Sequence, residues 1–199
     1  MSESENKGIL RFLGICAVLC ILIFLIIWYA PSIFKAKPTT VEYNGFHFEK
    51  VGALWYTQWQ NGPYVYNVPL RYNPEEVQDV KIIGELSDKF NDPEKIYVTF
   101  DPNQNDTLKW VALAKGELIW SLIGPLQKNA TDACSASSAE CEGFPIVDCS
   151  NTDKSVIYLV PAKTSKVIAE GTCVVIEGSE IELTKSVDRF LYQWYGIMK

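Results

Sequence analysis

The chain has 199 residues and a formal net charge of −6, from 18 Lys+Arg against 24 Asp+Glu. That acidic balance disfavours nucleic acid as a partner, because phosphate binding needs a concentrated basic surface. The length suits one compact domain plus an anchor, and an aromatic content of 13% excludes a disordered tail.

Residues 1–11 read as a short cytoplasmic tail. The stretch FLGICAVLCILIFLIIWYA, 12–30, carries 19 residues without a charge. As a helix it would span about 28 Å, against a hydrocarbon thickness of roughly 30 Å, which predicts a single transmembrane helix. Trp28 and Tyr29 fall at its end, where amphipathic rings prefer an interface. The run exceeds the ~7–15 residues of a signal-peptide core, and a cut after Ala30 would leave Pro31 first. Lys7 and Arg11 precede it and Lys35 and Lys37 follow, so basic residues do not decide its orientation. Cys16 and Cys20 inside it are read as small apolar packing residues. The stretch NKGIL resembles the processing site of archaeal type IV prepilins, which implies cleavage after Gly8 and a filament subunit. Leu13 stands where bacterial pilins carry a glutamate at the fifth mature position.

Residues 31–42, with two prolines in APSIFKAKPTT, read as a stalk, and 43–199 as an extracytoplasmic α+β domain. A strand around 43–51 is followed by LWYTQWQ (54–60) and PYVYNVPLRY (63–72), with Asn61-Gly62 between them as a hairpin signal. Together they predict an antiparallel meander. NPEEV (73–77) has a cap residue, a proline at the first helical position and two acids, so it starts a short turn of helix. Residues 85–92 suggest another short helix and KIYVTF (95–100) a strand.

DTLKWVALAKGELIWSLIGPL (106–126) is apolar around most of its circumference, as a largely buried helix would be, with Asp106 as its cap. VIYLVPA (156–162) and GTCVVIEG (171–178) read as strands. Ser179 and Glu182 have the spacing of a capping box opening a final helix. Leu183, Val187, Phe190, Leu191, Trp194 and Met198 recur along one of its faces, with Asp188 and Arg189 assigned to the polar face. Two packed helices against strands complete the α+β reading.

Cys134, Cys141, Cys149 and Cys173 lack the close C-x2–4-C pairs of zinc sites, and the only histidine is His47. An even set of four in a polar segment fits two disulfides. Of three pairings, Cys134–Cys141 and Cys149–Cys173 are preferred, making 134–149 a stapled surface loop. Asn105 and Asn129 lie in N-x-[ST] sequons and are candidate glycosylation sites. Both signals place residues 31–199 outside the cytoplasm.

The combination GTCVVIEG…SVDRFLYQWYGIM, with VTFDPN…WVALAKGEL before it, resembles uncharacterised single-pass membrane proteins of small-genome archaea. That resemblance implies a membrane location and carries no activity, ligand or catalytic residue.

DPNQND (101–106) offers alternating oxygen ligands but lacks the glycine and glutamate of a calcium loop, and reads as a loop ending in a helix cap. Trp55, Tyr56, Trp59, Tyr64 and Tyr66 cluster on the hairpin. Alternation puts Trp55 and Trp59 on one face and Tyr56 on the other, so the rings are either core or a binding surface. No catalytic, metal or cofactor constellation emerges. The expected function is a membrane-anchored extracytoplasmic binding or assembly module of the cell surface. Its expected partners are the membrane, other surface proteins or glycans, and further copies of itself. A pilin-like subunit and a membrane-bound hydrolase or transferase using His47 or Asp101 are the alternatives.

Overall fold

Strand-forming residues in alternation build the first part of the domain. In the computed structural model, which describes residues 13–26, 28, 38–87, 90, 95–104 and 107–199, strands β1 (Thr40–Tyr43), β2 (Phe46–Val51), β3 (Leu54–Asn61) and β4 (Tyr64–Leu70) pair in that order as an antiparallel meander. The expected single strand over 43–51 is therefore two, split by Asn44-Gly45, whose φ values of 47° and 81° suit a primed hairpin turn. At the next hairpin Asn61 ends β3 opposite Tyr64, and Gly62, at φ 58°, opens the two-residue loop.

The second sheet has six strands in the order β5-β9-β10-β8-β6-β7: β5 (Lys81–Leu86), β6 (Ile96–Phe100), β7 (Ala130–Asp132), β8 (Ser155–Pro161), β9 (Lys166–Gly171) and β10 (Cys173–Gly178). Only the β9–β10 pair is antiparallel. Helix α2 (Leu108–Ile123) makes the crossover between the parallel neighbours β6 and β7, and α3 (Glu182–Trp194) follows β10.

The two helices lie between the sheets. One continuous core joins Phe48, Trp55, Val68 and Leu70 of the meander, Leu118 and Leu122 of α2, Leu191 and Tyr192 of α3, and Ile157, Leu159, Val174 and Ile176 of the larger sheet. Burying each large side chain contributes about 1.5–3 kcal/mol. Because α3 packs against both sheets, several of its polar positions, Thr184, Ser186, Asp188 and Arg189, are buried as well. Asp188 is 1% exposed and Arg189 8%, which corrects their assignment to a solvated face. The capping box is also corrected: α3 begins at Glu182 with no side-chain cap, and the Glu182 amide donates to the Ser179 carbonyl at 2.8 Å.

On the far face of the six-stranded sheet, Val147 packs with Ala133, Val156 and Cys173. Two disulfides hold the loop there, Cys134–Cys141 across 7 residues and Cys149–Cys173 across 24. The preferred pairing is the one that forms, and the second bond ties the loop to β10.

The chain divides into two units, Met1–Pro38 and Thr39–Lys199. The second includes β1, so it starts inside the segment expected to be stalk. In the first, helix α1 covers 13–26. The transmembrane helix over 12–30 is corrected: 14 described residues rise about 21 Å, and no helix among the described residues is long and apolar enough to cross a membrane. An apolar run limits how long a spanning helix can be; it does not fix where the helix forms. The 1–11 tail, most of the stalk, Asn105, Asp106 and most of 88–94 lie outside the described residues.

Candidate functional site

Alternation along the meander sends one set of side chains to the helices and the other to solvent. Trp55, Thr57 and Trp59 of β3 face inward; Tyr56, Gln58 and Gln60 face outward. The register sets Glu49 beside Tyr56, Glu42 beside His47 and Gln58 beside Asn67. The outer face thus carries a groove of about 630 Å³ whose polar lining includes His47, Glu49, Tyr56, Gln58, Gln60 and Asn67.

This lining is rich in hydrogen-bonding groups. The amides of Gln58, Gln60 and Asn67 each offer two donors and a carbonyl acceptor, Glu49 offers a carboxylate, and Tyr56 adds a ring and a hydroxyl. Gln60 spends one donor on the Gly62 carbonyl at 2.9 Å. His47 Nδ1 sits 2.5 Å from Glu42 Oε1, and both side chains are largely exposed. The groove stands on a hydrogen-bonded sheet whose other face is core, so its side chains are displayed from a rigid platform.

The five hairpin aromatics part company. Trp55 is 3% exposed and belongs to the core. Trp59 is half-buried, its ring 4.9 Å from that of Tyr195 and its Nε1 donating to the Tyr195 carbonyl at 2.9 Å. Tyr66 is half-buried and its hydroxyl accepts from Gln127 Nε2 at 2.7 Å. Tyr64 is exposed near the hairpin tip, its ring centroid 6.5 Å from that of Tyr66. Only Tyr56 joins the outer groove. Glu49, Gln58, Gln60 and Asn67 were not singled out from the sequence, although the alternation that placed Tyr56 outward places Gln58 and Gln60 with it.

The residues weighed for catalysis are not assembled. Asp101 Oδ1 accepts from the Asn103 amide at 3.0 Å and from its side chain at 3.1 Å, a local turn. Burial pushes the Asp188 carboxyl well above the usual carboxylate range, but that group is enclosed by the core. Among the described residues no group of three His, Cys, Asp or Glu could hold a metal ion. Asn129, in the second sequon, is exposed.

No protein-family model, no curated protein and no solved structure matches this chain.

Proposed function

We propose that this chain is an extracytoplasmic, membrane-associated binding module that recognises hydroxyl-rich ligands, the glycans of a cell surface, in the outer groove of the meander. The observation that carries the reading is the gathering of His47, Glu49, Tyr56, Gln58, Gln60 and Asn67 on one solvent-facing sheet surface. A sugar presents vicinal hydroxyls that each donate and accept. Primary amides and a carboxylate match them in pairs, while a tyrosine ring packs on the apolar face of the pyranose. Two disulfides support an oxidising compartment outside the cytoplasm. The acidic balance of the chain turns the same surface away from anionic polymers.

Titration calorimetry of the full chain against neutral oligosaccharides tests this. Binding that is lost in Gln58→Ala and Asn67→Ala variants, with folding intact, is the expected result. Absence of heat with every neutral oligosaccharide at millimolar concentration would end the glycan reading.

A further inference from the structure

The six-stranded sheet has one face on the helices and one that the stapled loop covers only in part. The loop packs over Val156 and Cys173, leaving β5 and β9 open. On that open half the register aligns three rows across the strands. Glu85 stands beside Glu170. Ile83 stands beside Ile168, and Ile168 beside Val175. Lys81 stands beside Lys166, and Lys166 beside Glu177. Ile83 is 49% exposed.

The pairing is unfavourable within one copy, because like charges directly opposite on neighbouring strands repel. Lys166 finds relief in Glu177, 3.2 Å away. Glu85, Glu170 and Lys81 make no ion pair with any described residue. The row thus runs from exposed Ile83 to half-buried Ile168 and to Val175, which packs against the loop-side cluster, and beside it Glu85, Glu170 and Lys81 have no ion-pair partner among the described residues.

We infer that a second copy of this chain covers this surface, face to face, about a two-fold axis running along the isoleucine row and across the strands. Such a rotation turns one copy over and exchanges the two ends of its strands. The isoleucine row lands on its counterpart, Glu85 and Glu170 of one copy land over Lys81 and Lys166 of the other, and the relation is reciprocal, as an isologous contact requires. The other in-plane axis, along the strands, would stack lysine on lysine and is disfavoured by the same charges. The two open strands, about 4.8 Å apart and about 20 Å long, offer roughly 190 Å² of sheet per copy. That is a small contact, so the dimer is weak and concentration-dependent. This surface is separate from the meander groove, and each copy brings one groove, so dimerisation would double the valency of binding.

Sedimentation equilibrium of the full chain in a neutral detergent, up to millimolar protein, tests the inference. The expected result is a monomer–dimer equilibrium that salt weakens. Glu85→Lys with Glu170→Lys should weaken it by roughly tenfold or more, and so should Lys81→Glu with Lys166→Glu. An equimolar mixture of the two variants should recover the dimer. Ile83→Arg, at an exposed position, is a second disruption that leaves the fold and its near-ultraviolet circular dichroism intact. A wild-type chain that stays monomeric throughout overturns the inference. So does a dimer indifferent to these substitutions, which would place the contact elsewhere.

Discussion

Asp188 holds Arg71 by its backbone: Oδ2 of the carboxyl accepts from the Arg71 amide at 2.8 Å and from the neighbouring Tyr72 amide at 2.8 Å. The Tyr192 hydroxyl donates to the Tyr72 carbonyl at 2.6 Å, so α3 grips the chain where it leaves the meander. The Arg71 guanidinium turns the other way, to Glu117 of α2, and that bond raises its pKa further. Desolvation outweighs the two amide bonds, and Asp188 keeps its proton well above the usual carboxylate range. The folded chain therefore holds a proton that the unfolded chain releases near pH 3.8. The stabilisation from this proton is full below that value and declines as pH rises through the folded pKa. Asp188→Asn should flatten the fall in melting temperature as pH rises above about 4. An unchanged slope in the variant would show that Asp188 ionises normally in the fold.

Trp55 and Tyr56 are adjacent in sequence and opposite in consequence. Trp55→Ala should destabilise the domain by about 3–5 kcal/mol, the cost of emptying a core site. Tyr56→Ala should leave the denaturation midpoint nearly unchanged and weaken oligosaccharide binding. Chemical denaturation read beside calorimetry separates the two. A stable Trp55→Ala variant that loses ligand would return the binding surface to the inner rings.

The two disulfides differ in the length of chain they close. Loop-closure entropy gives about 2.4 kcal/mol for a 7-residue separation and about 3.4 kcal/mol for 24. Replacing Cys149 and Cys173 by alanine should therefore cost more than replacing Cys134 and Cys141, and should release the loop from β10. Limited proteolysis within 142–155 should quicken only in the first variant. Equal protection in both would mean that Val147 packing alone holds the loop.

Gly178 ends β10 where α3 begins. A Cβ there would lie 2.6 Å from the Leu183 Cα and 2.8 Å from the Glu182 carbonyl oxygen, both backbone atoms that cannot rotate away. Gly178→Ala should cost about 1–3 kcal/mol by overpacking. A wild-type midpoint would show that the helix start shifts freely.

What was legible in the sequence is what is local. Asn73 in NPEEV caps its turn as its residue type suggests, accepting from the Glu75 and Glu76 amides at 2.8 and 3.1 Å while Glu76 reaches back to the Asn73 amide at 2.7 Å. Ser179 and Glu182 have the same spacing without the same bonds, because Gly178 is pressed against Leu183 and Glu180 takes a φ of 47°. Strands β5 and β9 escaped notice. Each is a short segment carrying a glycine, and the one neighbour of β5 lies some eighty residues away, as Lys81 beside Lys166 shows. The helical stripe of α3 was read correctly from Leu183 to Trp194, whereas Met198 lies beyond the helix end, after Gly196 at φ 70°; and periodicity describes one buried face. The second face became buried because the meander, far upstream, closes over it. In the groove, Tyr56 stood out because rings attract notice, whereas Gln58 and Gln60 were legible by the same alternation.

The position of α3 also governs the order in which the domain can be made. Phe48 and Trp59, in the first third of the chain, pack on Tyr192 and Tyr195, and the Asn44 side chain donates to the Ile197 carbonyl. As the chain emerges from the ribosome, the meander completes its own hydrogen bonds early, and α2 can then share its core, yet the part of its apolar face that packs on Tyr192 and Tyr195 stays uncovered until residues 182–198 are translated. The larger sheet also waits, since β5 acquires its neighbour β9 only after all the intervening chain. Nascent domains halted before α3 therefore leave Phe48 and Trp59 without their ring partners, a surface that a holding chaperone would engage and that aggregation would otherwise claim.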